Sequence, residues 1–223
     1  MTEQTLHEQL KEIYASKTGE VESNIGDYRV DVVRGDLFIE IQTGSFSSIR
    51  EKLRDLLKNN RVRLVYPIPY QKWIVRLNKD GKQVSRRRSP KKGRVEDIFY
   101  ELVYIPEILV DPNFELEVVM VDVDEYWIDD GKGSWRRRRW SIYDRKMLKL
   151  CERTLFKSPE DLKQFIPENL SEFTSRTLSK MTSINTRLTQ KMLYCLTRMN
   201  VVQRDGKKGR AYLYKLPLSD GSS

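Results

Sequence analysis

The stretch over residues 28–42, YRVDVVRGDLFIEIQ, constrains the fold more than any other part of the chain. Tyr28, Val30 and Val32 alternate with Arg29, Asp31 and Val33, and Gly35-Asp36 is a two-residue turn signal. Leu37, Ile39 and Ile41 then alternate with Phe38, Glu40 and Gln42. Period-two patterning on both sides of a glycine turn predicts two short antiparallel strands. Asp31 and Glu40 fall on the strand faces of Val33 and Phe38, which such a pattern ordinarily buries. Two carboxylates there are costly unless something cationic lies between them.

The flanking segments read as support for this hairpin. Leu6, Leu10, Ile13 and Tyr14 form one helical stripe over residues 5–16, with Gly19 as the stop. Glu8 and Glu12 lie four apart beside the stripe, where they can face a site beneath the helix. Thr5-Leu6-His7-Glu8 equally fits a capping box, which accounts for Glu8 without any chemistry. His7, the single histidine, is one residue off the stripe and reads as solvated. After the hairpin, a Gly/Ser-rich corner over residues 42–48 leads into Ile49, Leu53, Leu56 and Leu57 at helical spacing, with Ser48-Ile49-Arg50-Glu51 as a capping box. Residues 61–67 read as a strand, and a strand–helix–strand crossover places it parallel to the strand over 37–42. Residues 73–77 and 115–127 read as further strands, and 95–104 as a helix.

Charge is segregated along the chain. The formal net charge is +9 and the pI about 9.4. Residues 61–95 carry 12 basic side chains and 1 acidic, whereas 96–131 carry 12 acidic and 0 basic. Clustered Lys and Arg at high pI mark a polyanion binder. Arg86, Arg87, Arg88, Lys91 and Lys92 lie in a Pro- and Gly-containing run that reads as an exposed loop. Arg136, Arg137, Arg138 and Arg139 stand between Trp135 and Trp140, a composition suited to holding phosphates and stacking on bases. The competing reading is that these arginines neutralise the acidic strand just before them. Cys151 and Cys195 match no zinc or redox spacing and read as small buried apolar residues. A signal peptide and a membrane-spanning apolar run are both absent, so a cytoplasmic protein with no membrane partner is expected.

From residue 141 the texture becomes helical. Residues 141–156 place Leu148, Cys151, Glu152 and Leu155 at helical intervals, and 185–199 place Leu188, Met192, Cys195, Leu196 and Met199 on one face. A basic hairpin follows, with Gly206-Lys207-Lys208-Gly209 at its turn. Phe173-Thr174-Ser175 opens a short helix around Leu178, and this helix, the one over 185–199 and the basic hairpin have the order of a winged helix-turn-helix. That assigns Arg187 and Lys191 on the recognition helix, and Lys207, Lys208 and Arg210 at the wing, to phosphates. The expected organisation is a first domain over 1–140, a helical, winged-helix DNA-binding domain over 141–218 and a disordered tail over 219–223.

The first domain resembles the PD-(D/E)XK nuclease superfamily, the restriction-endonuclease-like fold. The resemblance rests on a helix with Glu8, Asp31 on the next hairpin, Glu40-Ile41-Gln42, and a strand–corner–helix–strand core. It implies an α/β (α+β) fold with a mixed β-sheet core flanked by helices. It further implies that Asp31 and Glu40 bind Mg²⁺ or Mn²⁺, that Glu8 is the helix acid of some members, and that Gln42 occupies the position of the family's lysine. An amide there can hydrogen-bond water or phosphate but supplies no positive charge. The resemblance thus implies an Mg²⁺-dependent endonuclease hydrolysing phosphodiesters of double-stranded or branched DNA, with catalytic residues Glu8, Asp31, Glu40 and Gln42, and it admits a homodimer. Gln42 favours the alternative, a catalytically inactive nuclease-like DNA-binding protein or regulator. A third reading is a protein-interaction adaptor whose oppositely charged blocks pair with one another or with a partner.

Overall fold

The computed structural model describes residues 4–16 and 20–217, so Gly19 and the expected tail over 219–223 lie outside the described residues. The fold is mixed α+β, with a large mixed sheet flanked by helices. The chain divides into two compact units. The first comprises Met1–Gly44, Val62–Val95 and Glu117–Thr154, and the second Ser45–Arg61, Glu96–Leu116 and Leu155–Ser223. No helix among the described residues is long and apolar enough to cross a membrane.

Helix α1 (Gln4–Ala15) precedes three strands, β1 (Glu20–Ile25), β2 (Tyr28–Arg34) and β3 (Leu37–Ile41). β2 and β3 pair antiparallel with Val32 opposite Ile39 and Arg34 opposite Leu37, the hairpin expected. β1 is an addition, paired antiparallel to β2. Its signal is Gly26-Asp27, the same dipeptide type as Gly35-Asp36; both glycines have positive φ, 56° and 58°. A positive φ at the first of two turn residues matches the twist of antiparallel strands and favours glycine.

The corner after β3 is a 3₁₀ turn (Phe46–Ser48) followed by α2 (Arg50–Leu57) and β4 (Arg61–Leu77). The capping box expected at Ser48 does not form: Ile49 occupies the cap without a side-chain bond, and the Ser45 hydroxyl caps the 3₁₀ turn by accepting from the Ser47 N–H. β4 is one strand where two were expected. It pairs antiparallel with β5 (Gln83–Arg88), so Arg86 to Arg88 lie on an exposed strand and not in a loop. A helical segment (α3, Phe99–Leu102) leads to β6 (Phe114–Ile128) and β7 (Ser141–Phe156). The strand order is β1-β2-β3-β4-β6-β7, with β5 attached to β4.

The helix expected over 141–156 is therefore the strand β7. Helical spacing of a few apolar residues lost to the open edge of β6, whose backbone donors and acceptors require a neighbour. Cys151 is exposed on this strand, contrary to expectation, whereas Cys195 is buried. α1 lies over the sheet, packing Leu6, Leu10 and Tyr14 on Val32, Ile39, Ile41, Val65, Val119, Val121 and Val123. Each buried leucine contributes about 1.5–3 kcal/mol to that packing. Gln9 binds the backbone of Met147 in both directions, its amide donating at 3.2 Å and its carbonyl accepting at 2.7 Å.

The second unit contains β8 (Glu172–Thr174), α4 (Ser175–Thr182), α5 (Thr186–Arg198), β9 (Gln203–Lys208) and β10 (Ala211–Lys215). Its three strands pair antiparallel in the order β8-β10-β9. Thr174 and Asn185 cap the two helices by accepting from the Thr177 and Leu188 N–H groups, the role for which these residue types are selected.

Candidate functional site

Asp31 and Glu40 stand on adjacent paired strands, but their environments differ. Strict alternation would point Asp31 away from α1. Instead its Oδ2 accepts the Ile41 N–H at 2.8 Å, so the carboxylate binds the β3 backbone just beyond the last paired residues, Val32 and Ile39. The same oxygen lies 3.2 Å from His7 Nε2. This hydrogen bond raises the His7 pKa above its ordinary value, against the opposing effect of burial. Glu40 is only 2% exposed. Gln42 continues from β3, its N–H donating to Val65 O at 2.9 Å.

Glu8 does not take the capping role. Its carboxylate is half-exposed and binds Lys11 at 2.9 Å, and this contact lowers its pKa. Lys11 is itself buried and binds Glu22 of β1 at 2.7 Å. The helix thus reaches Asp31 through His7, while Glu8 is turned to Lys11. Contrary to expectation His7 is not solvated but mostly covered and bonded to Asp31, and pattern alone does not single out Lys11, because each lies beside the apolar stripe and its partners on β1 and β2 are set by folding. Asp31 and Glu40 are donors of the type Mg²⁺ selects. Among the described residues, however, no group of three or more His, Cys, Asp or Glu side chains is arranged to hold a metal ion. Asp31 and Glu40 are therefore two carboxylates without a third such ligand, a set that would leave the remaining positions on Mg²⁺ to water and phosphate.

The acidic strand β6 is neutralised within the fold. Glu117 binds Arg63 at 3.3 Å, and Asp124 binds Arg86 at 2.9 Å. Glu125, 1% exposed, receives Lys72 at 3.0 Å, Arg145 at 2.8 Å and the Trp127 indole N–H at 2.8 Å. Burial would raise the Glu125 pKa, but the charges of Arg145 and Lys72 hold it below the ordinary carboxylate value. The neutralising cations therefore come from β4, β5 and β7, and not from the run at 136–139.

The expected phosphate-binding residues separate accordingly. Arg86 is engaged by Asp124 and by the Trp73 ring, 5.0 Å away, Arg88 donates to Gln71, and Lys92 lies 5.3 Å over Tyr70. Arg87 and Lys91 are exposed. In the loop joining β6 to β7, Arg136, Arg138 and Arg139 are exposed, and Arg137 donates to Trp140 O at 3.2 Å. On α5, Arg187 is exposed, whereas Lys191 lies 5.9 Å over both Tyr100 and Tyr104. Lys207, Lys208 and Arg210 are all exposed, and Arg204 and Lys207 flank the Tyr212 ring at 4.4 and 5.3 Å. Between α4, α5 and β10 lies a cleft of about 330 Å³ lined by Ser175, Gln190, Arg210 and Tyr212.

No solved structure matches the chain. A protein of Treponema pallidum (strain Nichols), described as an uncharacterized protein, is 29% identical over 220 residues, which span 98% of this chain and 87% of that one. Residues 4–157, the span from α1 to just past β7, match the family described as "Domain of unknown function (DUF8091)", and the chain belongs to that family.

Proposed function

We propose that this protein binds duplex DNA through a C-terminal winged helix that follows a restriction-endonuclease-like unit. The observation that carries the reading is the β9–β10 hairpin. Residues 203–210 are all exposed, and Lys207, Lys208 and Arg210 at its turn are in no ion pair among the described residues. Cations held in water without a carboxylate partner are available to displace counterions from phosphate. The element order β8-α4-α5-β9-β10, with β10 between the other two strands, is that expected of a winged helix, and α5 exposes Arg187 and Gln190. Binding of a labelled duplex, followed by fluorescence anisotropy across a salt series, tests the reading. A steep fall of affinity with salt is expected; no measurable binding, or binding indifferent to salt, overturns it.

The second reading is an Mg²⁺- or Mn²⁺-dependent endonuclease acting on duplex or branched DNA. The hydrogen bond from Ile41 N–H to Asp31 supports it, because it fastens the hairpin acid to the Glu40-Ile41-Gln42 tripeptide. Incubation of single-stranded, duplex and branched DNA with either metal decides between the two. Cleavage that disappears in Glu40→Ala establishes the nuclease; no cleavage, or equal cleavage by the variant, leaves the binding protein.

A further inference from the structure

Trp135 is 82% exposed, an unusual place for an indole. The other three tryptophans are engaged inside the first unit: Trp73 lies beneath Arg86, Trp127 donates to Glu125 and Trp140 lies 5.1 Å beneath Arg76. The Trp135 indole has no hydrogen-bond or ring partner among the described residues, and its neighbours Arg136, Arg138 and Arg139 are exposed.

The loop that carries it is fastened. Gly133 N–H donates to Arg139 O at 2.9 Å, Arg138 N–H to Trp135 O at 2.9 Å and Arg139 N–H to Ser134 O at 3.0 Å. Arg138 and Arg139 both hold left-handed backbone, φ 51° and 66°, a conformation that costs L-residues energy. A ring presented by an ordered loop loses little entropy when it meets a flat partner.

We propose that the β6–β7 loop is a stacking site for an unpaired nucleobase, with Trp135 as the platform and the flanking guanidinium groups on the adjoining phosphates. The ligand class is single-stranded nucleic acid, or a base extruded from a duplex. An indole face stacks on any base, but an intact duplex hides its base faces in its own stack. Anionic lipid is the less suitable ligand, because an interfacial anchor needs a broad apolar face. This loop offers one ring among charges, with Asp129 and Asp130 at its base.

The inference rests on the nucleic-acid-binding reading and extends it to a second surface. Its test compares wild type, Trp135→Ala and Trp135→Phe in binding to labelled oligothymidylate and to relaxed closed-circular duplex DNA, with phosphatidylserine vesicles as a third arm. Trp135→Ala is expected to weaken oligothymidylate binding by about 5- to 150-fold, the effect of losing one stacked base. Trp135→Phe should recover most of the loss, and duplex affinity should not change. Equal weakening of both nucleic acids, no weakening of either, or preferential capture by vesicles overturns the stacking site while leaving the duplex-binding reading intact. Wild type that binds neither nucleic acid overturns the DNA-binding reading itself, and the stacking site with it.

Discussion

His7 Nε2 lies 3.2 Å from Asp31 Oδ2, joining a helix residue to the hairpin carboxylate that also holds Ile41 N–H at 2.8 Å. A bond of this kind favours the imidazolium, and the pKa of His7 is raised above 6.5. The stability contributed by the protonated ring is therefore complete below about pH 6.5 and is lost as pH rises through the raised value. Because His7 is the single histidine in 223 residues, one ring signal in a proton NMR titration reports it directly. Its midpoint should lie above 6.5 in wild type and fall in Asp31→Asn; an unchanged midpoint in the variant would show that the two side chains do not meet in solution.

Glu125 is the most enclosed of the neutralised carboxylates. Removing it in Glu125→Ala leaves Lys72 and Arg145 facing each other without their counter-charge. Breaking a buried pair costs about 3–5 kcal/mol, and the partial exposure of both cations sets the expectation near about 3 kcal/mol. Glu51→Ala, which removes an exposed pair with Arg54 at 3.0 Å, should change stability by less than about 1 kcal/mol. Urea denaturation of the two variants side by side distinguishes them.

Gly133 holds the β6–β7 loop closed. A Cβ there would stand 1.8 Å from Trp140 O, which is backbone and has no side-chain freedom with which to yield. Gly133→Ala should therefore destabilise the protein by about 1–3 kcal/mol, as overpacking does, and displace the loop. Hydrogen exchange should show loss of protection at the Gly133, Arg138 and Arg139 amides, while the β2–β3 hairpin remains protected.

Replacing Lys207, Lys208 and Arg210 together by alanine should weaken duplex binding and reduce the slope of log affinity against log salt by about 2–3, at about 0.9 for each phosphate no longer neutralised. Lys191→Ala should reduce the slope far less, because its ammonium faces Tyr100 and Tyr104. An unchanged slope in the triple variant would remove the hairpin from the DNA interface.

Much of the fold before β7 is legible in the sequence. The hairpin over 28–42, the corner and helix after it, and the strand along residues 115–127 follow from alternation and helical spacing, which are local properties. The β1 strand carries the same glycine-turn signal, but its polar faces hide it. The apolar residues of β7 suit either period, and the open edge of β6 decides for the strand. For the candidate site, the motif residues are visible in the sequence, but the bond of His7 to Asp31 and the place of Lys11 are not. Their relevance comes from Asp31 and Glu22, which only folding brings within reach.

The sequence by itself determined where most strands and turns lie, that charge is segregated into blocks, and that a basic hairpin follows the last helix. Local sterics and hydrophobic periodicity suffice for the strands and turns, and the charge blocks follow from residue order alone. Tertiary structure decided which charges remain free. Arg63 meets Glu117 across 54 positions and Lys72 meets Glu125 across 53, so cations that read as a phosphate-binding block are partly consumed in neutralising β6. Coulomb attraction acts through space with no regard to chain order, and a buried carboxylate binds whichever cation the sheet places beside it. The same placement left Trp135, Arg136, Arg138 and Arg139 in water.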